Sequence, residues 1–221
     1  MNGRRPLPRV HAVTDSAVLR LPDLGVRAAA LASGGSAVAL HARDRGSDRG
    51  SDRGSDRGSG AAVTALAAVA GRFMALAQPP EAAVFVSARP DVAAAVRAHG
   101  VQLGAADLAP ADARRLLPHG WIGRSVHSRD EARAAADEGA DYLVAGPVYP
   151  TPTHPGHPGS GPSLIAACAA FGLPVIAIGG VTEDRLEELR EAGAWGVAAI
   201  RGLWLSDDPA RTVALWLQGL A

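Results

Sequence analysis

The sequence is poor in three things, and each shortage removes a class of protein. It has a single cysteine among 221 residues. One thiol rules out a disulfide framework, and no Cys/His spacing suits zinc. Cys168 falls in an Ala-rich helical pattern, where an unpaired buried thiol is expected. The chain has no net charge, with 22 basic and 22 acidic side chains. That balance carries neither a nucleic-acid footprint nor an anionic-membrane patch. No apolar run approaches the roughly 18 residues of a membrane span. The start, MNGRRPLPRV, lacks the apolar segment of a signal peptide, so a cytoplasmic protein is expected.

Hydrophobic residues make up 48% of the chain. Much of that is Ala and Val, so the core is built from small side chains. Eight short β-rich runs recur: Val10–Val13, Ala37–Leu40, Ala83–Val86, Val101–Leu103, Trp121–Ile122, Tyr142–Ala145, Val175–Ile178 and Val197–Ile200. Being apolar almost throughout, they suit strands buried on both faces. Eight helical patterns alternate with them, from DLGVRAAALAS to DPARTVALWLQGL. Ser128 and Glu131 have capping-box spacing, Thr182 precedes an acidic first turn, and Gly100, Gly139, Gly172 and Gly193 fall where helices end. The alternation implies βαβ units, and eight of them imply an α/β fold closed as a (β/α)8 TIM barrel. No G-x-G-x-x-G follows the first strand, which argues against an open dinucleotide-binding sheet. A single domain over residues 1–221 is expected. The tandem GSDR repeat at residues 46–60 reads as a flexible low-complexity insertion after strand two.

In such a barrel the chemistry sits at the C-terminal ends of the strands. There, Gly179 and Gly180 follow strand seven, and Arg201 and Gly202 follow strand eight. Loops seven and eight commonly bind phosphate, so these four residues are the expected phosphate site. Gln102, Asp107 and Ser125 end strands four and five, with Arg124 and His127 close by. Strand two ends in His41 and Arg43, and strand one in Thr14 and Asp15. After strand six runs AGPVYPTPTHPGHPGSG, a loop too long to be a mere connection. It carries Thr151, Thr153, His154 and His157.

HAVTD, VQLGAADL, IGRSVHS, GADYLVAGPVYPTPTHPG and PVIAIGGVTEDRLEELREAGAWGVAAIRGL together resemble the thiamine phosphate synthase/TenI family over nearly the whole chain. The resemblance implies a TIM barrel that handles thiazole phosphate in thiamin biosynthesis. One branch of the family joins a hydroxymethylpyrimidine diphosphate to thiazole phosphate with Mg²⁺. The other aromatises a carboxythiazole phosphate by moving a proton, without a metal. The synthase pattern Gln-x-Arg-x-Lys meets Ala39, His41 and Arg43 here, and Asn-Asp-Arg meets Ser87, Ala88 and Arg89. The family's pyrophosphate-binding lysine is replaced by His154. Asp107 matches one metal-binding aspartate, with Ala88 at its partner's position.

These departures, with IGRSVHS and HAVTD, lead to the expectation of a thiazole tautomerase needing no cofactor. Pro147 stands where that branch has its histidine base. His154 is therefore the first candidate to move the proton, with a Pro/Gly loop closing over the ring, and His127 and His41 come next. Gln102, Ser125, Thr151, Thr153 and Arg43 would complete substrate binding. Two alternatives stand beside it. One is a divergent synthase, with Asp107 on Mg²⁺ and His154 and Arg43 on the diphosphate. The other is a non-catalytic barrel that binds a phosphate ligand. The expected partner is a small molecule, with neither nucleic acid nor membrane, and the expected assembly is a homodimer.

Overall fold

The computed structural model describes residues 5–44, 60–77 and 81–221. Eight parallel strands close a barrel in sequence order. They are β1 (Val10–Val13), β2 (Val38–Ala42), β3 (Ala83–Ser87), β4 (Gly100–Leu103), β5 (Trp121–Val126), β6 (Tyr142–Ala145), β7 (Val175–Ile178) and β8 (Gly196–Ala199). The outer helices are α1 (Leu24–Ala32), α2 (Gly60–Leu76), α3 (Pro90–Ala95), α4 (Pro110–Leu116), α5 (Arg129–Asp137), α6 (Pro162–Ala169), α7 (Leu186–Glu191) and α9 (Pro209–Gly219). One turn of helix, α8 (Arg201–Trp204), precedes α9. The sequence reading placed its first residues, Arg201 and Gly202, in the loop after strand eight. The GSDR repeat lies outside the described residues up to Gly60, where α2 begins.

Side-chain alternation divides the interior in two. Val10 and Ala12 of β1 face the helices, joining Leu40, Val84, Ile165 and Trp204 in the larger core. Val13, Ala39, Phe85, Tyr142, Ile176 and Ala198 point into the barrel itself. A strand reverses face at every residue, so one polar residue in an apolar run still has a definite side. By that rule His11, between Val10 and Ala12, points inward, and it is fully buried.

Two local readings change. Gly100 does not end a helix. It opens β4, because a Cβ there would lie 2.4 Å from Cε1 of Phe85 and 2.7 Å from the Trp121 carbonyl. The turn before it is made by Arg97, at φ 57°. Ser128 does cap α5, accepting from Glu131 N–H at 3.2 Å, but Glu131 reaches back one residue further than a capping box, to His127 N–H at 2.7 Å.

The N-terminal segment closes the bottom of the barrel. Leu7 joins the inward cluster. Indole N–H groups hold it on both sides, Trp121 donating to the Arg5 carbonyl and Trp195 to that of Leu7, each at 3.1 Å. Arg9 Nε donates to the Trp195 carbonyl at 2.9 Å, and its guanidinium lies 5.3 Å from the Trp195 ring.

Candidate active site

At the opposite end a cavity of about 860 Å³ opens among the strand-end loops. Nearly every residue read from the sequence as a site candidate lines it: His41, Arg43, Gln102, Asp107, Ser125, His127, Thr151, Thr153, His154, Gly179, Gly180, Arg201 and Gly202. Asp44, Arg89 and His11 line it as well. His157 does not; its ring Nδ1 accepts from Gly159 N–H at 2.9 Å and so serves the loop's own turn.

The floor is built on β1 and β2. His11 Nδ1 and His41 Nε2 are 2.8 Å apart, and His11 Nε2 is 3.0 Å from the Pro8 carbonyl. The His41 ring stacks on Phe85 at 5.0 Å with planes 11° apart. Burial pulls His11 down to about 4 and holds His41 well below the usual histidine range, with His11 and Arg43 adding to the latter. His41 is therefore held toward its neutral form on the cavity floor, paired with His11 and stacked on Phe85.

On the β4–β5 wall, Gln102 Nε2 donates to Ser125 Oγ at 3.0 Å. Asp107 Oδ2 accepts from Gly104 N–H at 2.6 Å, so one carboxylate oxygen is committed to its own turn. Arg124 lies behind this wall, donating to the carbonyls of Gly104 and Leu108 at 2.8 and 3.1 Å. It braces the Asp107 loop and does not line the cavity. His127 stands at the rim and is exposed, with Nδ1 against the Gly146 carbonyl. A carbonyl only accepts, so Nδ1 carries a proton.

The loop after β6 is less free than its Pro and Gly content suggests. Val148 and Tyr149 N–H donate to the carbonyls of Ile178 and Gly179 at 2.9 and 3.0 Å, extending the sheet past its named strands. Ser160 and Gly161 N–H return to the carbonyls of Pro147 and Val148 at 2.9 and 2.8 Å. This closes the loop's base, so the expectation of a whole loop swinging as a lid narrows to its tip. There Thr151 and His154 form an isolated bridge, and His154 N–H donates to the Thr151 carbonyl at 3.0 Å.

Gly179 and Gly180 sit at φ 99° and 64°. A Cβ on Gly179 would lie 2.7 Å from the Pro147 Cα, and one on Gly180 would lie 2.6 Å from the Pro150 carbonyl. Glycine is needed here first so that loop six can lie on loop seven, and this also bares backbone at the cavity wall. Arg185, on the 3-10 turn leading into α7, donates to the Gly180 carbonyl at 2.5 Å.

Sequence reasoning missed His11 and Asp44. His11 had a signal, since period-two alternation in VHAV points it inward with Val13. Asp44 had none, lying where strand two gives way to the low-complexity repeat. The structure also bears on metal binding. Among the described residues, no group of three or more His, Cys, Asp or Glu is arranged to hold an ion. Mg²⁺ needs only one or two carboxylates when substrate phosphates supply the rest. Asp107 and Asp44, both on the cavity wall, fit that lesser requirement.

Comparison with known proteins agrees with this geometry. The family model for thiamine monophosphate synthase matches residues 10–203. The thiamine-phosphate synthase of Marinobacter nauticus is 36% identical over 199 residues, 89% of this chain and 83% of that protein. That of Mycobacterium marinum is 37% identical over 221 residues, covering 97% and 96%. The solved thiamine phosphate pyrophosphorylase of Pyrococcus furiosus superposes with a TM-score of 0.75 at 28% identity, over 96% of this chain and 95% of that one. These relatives carry the synthase name, which weighs against the expected tautomerase branch. A barrel closed in sequence order, an arginine- and glycine-lined mouth and these matches together make the chain a member of the thiamine monophosphate synthase family, an enzyme family of thiamine biosynthesis.

Proposed function

We propose that this barrel joins a hydroxymethylpyrimidine diphosphate to thiazole phosphate, releasing pyrophosphate. The observation that carries this reading is the presence of two cationic stations on one cavity. Gly179, Gly180, Arg201 and Gly202 come from loops seven and eight, and Arg43 and Arg89, the latter also paired with Asp91, from loops two and three. Joining two phosphorylated substrates needs two such stations, one for the phosphate and one for the diphosphate. The synthase names of relatives matching most of the chain support the same reading.

In this reading Arg201 and the backbone N–H groups of the glycines hold the thiazole phosphate. Arg43, Arg89 and His154 hold the diphosphate, His154 standing where the family has lysine. Asp107 and Asp44 would hold Mg²⁺, which when bound neutralises charge on the departing pyrophosphate. Gln102 and Ser125 would line the wall beside the rings, and Thr151 and Thr153 would supply hydroxyls at the rim.

A second reading, the metal-free tautomerase, is favoured by two particular facts. Ala88 occupies the partner position of the metal aspartate, and the chain contains no lysine at all. One pair of assays separates the two. Phosphorus NMR with both substrates and Mg²⁺ is expected to show pyrophosphate release that EDTA abolishes. Proton NMR of the non-aromatic carboxythiazole phosphate in EDTA is expected to show no acceleration of aromatisation. The reverse pattern would establish the tautomerase. Binding without turnover in either assay would leave a phosphate-binding barrel.

A further inference from the structure

The floor of the cavity is neutral and its rim is cationic, and the two histidines on the floor are not interchangeable. The Pro8 carbonyl can only accept, so the His11 nitrogen facing it, Nε2 at 3.0 Å, carries the proton. His11 Nδ1 is then a lone pair. It lies 2.8 Å from His41 Nε2, which must therefore donate. The remaining nitrogen, His41 Nδ1, is left as an acceptor. It is buried, and it has no hydrogen-bond partner among the described residues. His41 is only 2% exposed, yet it lines the cavity. Stacking on Phe85 fixes the plane of its ring. A buried acceptor without a partner is costly, and a ligand that donates to it recovers that cost.

We infer that His41 Nδ1 is a specificity-determining acceptor that selects a substrate ring bearing a neutral N–H donor, and that His11 is the positioning residue that fixes its tautomer. The Nδ1 lone pair repels an anionic group at that point of the floor. The phosphorylated end therefore faces the arginines at the rim and the ring enters first. Resting on the proposed condensation, the donor is the exocyclic amino group of an aminopyrimidine. The thiazole, which has no N–H, does not satisfy the floor.

Two measurements test this on the full chain, and neither needs turnover. Long-range proton–nitrogen correlation spectra of the nitrogen-15-labelled protein are expected to show both His11 and His41 protonated on Nε2 alone. A proton on His41 Nδ1 would overturn the inference, whatever any variant does. Calorimetry would then compare a hydroxymethyl aminopyrimidine with its counterpart carrying methyl in place of the amino group. The wild-type chain is expected to bind the amine about tenfold more tightly, the usual value of one hydrogen bond. His41→Phe keeps the aromatic stack and should bring the two affinities together. His11→Phe should erode the preference by freeing the His41 tautomer, an effect that loss of packing alone would not produce. Equal affinities in the wild type, or a preference surviving His41→Phe, would sink the inference. Intact discrimination with no condensation would overturn the catalytic reading alone.

Discussion

Arg185 lies 4.2 Å above the ring of Tyr149 while its Nη1 donates to the carbonyl of Gly180. The Tyr149 hydroxyl in turn donates to Glu188 at 2.6 Å. Two side chains from the α7 region thus clamp loop six to loop seven at the point where the cavity wall carries both His154 and the paired glycines. Burial and the Glu188 carboxylate together push the Tyr149 hydroxyl up to about 12, so it stays a donor at every pH the protein meets. Arg185→Met removes both the carbonyl contact and the cation above the ring. It is expected to raise KM for the thiazole phosphate five- to tenfold with little loss of thermal stability, since a half-buried cation–π pair contributes only about 1 kcal/mol. Steady-state kinetics against both substrates would check it. An equal rise for the pyrimidine diphosphate would place the clamp's influence elsewhere.

His154→Ala should lower turnover at least tenfold, with modest change in thiazole phosphate binding measured by calorimetry. His154→Lys should restore much of that loss if the residue holds the diphosphate, and none of it if the residue moves a proton. That comparison decides between the two chemistries at a single position.

Gly179→Ala is expected to destabilise the fold by about 1–3 kcal/mol, since φ 99° is costly for alanine and its Cβ would meet Pro147. Urea denaturation would measure this. Phosphate affinity should fall too, because loop six can no longer lie flat on loop seven.

Acid should destabilise the protein earlier than its carboxylates alone would. His11 is held near 4 when folded and titrates near 6.5 when unfolded. The unfolded chain therefore binds more protons between those values. Stability is complete above about pH 6.5 and falls as pH drops toward 4, by about 3 kcal/mol from this residue alone. His41 shifts in the same direction. Chemical denaturation from pH 7.5 to 4.5 should show the decline, and His11→Phe should flatten it.

Much of the fold was legible because eight strands buried on both faces leave an unmistakable record of short apolar runs separated by amphipathic helices. The strand ends then located most of the cavity, from Gln102 to Gly202, with no further information. What the linear pattern hid depended on contacts between strands. Gly100 looks like any helix-ending glycine until Phe85 is seen to occupy the space its side chain would take. His41 reads as one more strand-end histidine until its contact with His11 and its stack on Phe85 are seen. Arg124, read as a site neighbour, proves to brace a loop from behind.

The plugged bottom of the barrel has a consequence for the order of events. Leu7, held between the indoles of Trp121 and Trp195, stops the barrel at its N-terminal end, so among the described residues the cavity opens on the side of the arginines. Traffic through that side is last in, first out. On the proposed condensation, the ring that seats against His41 would arrive before its partner, and pyrophosphate and the joined product would leave by the route both substrates used. The proposed reaction would then take its substrates in order, before any residue at the mouth exerts a preference.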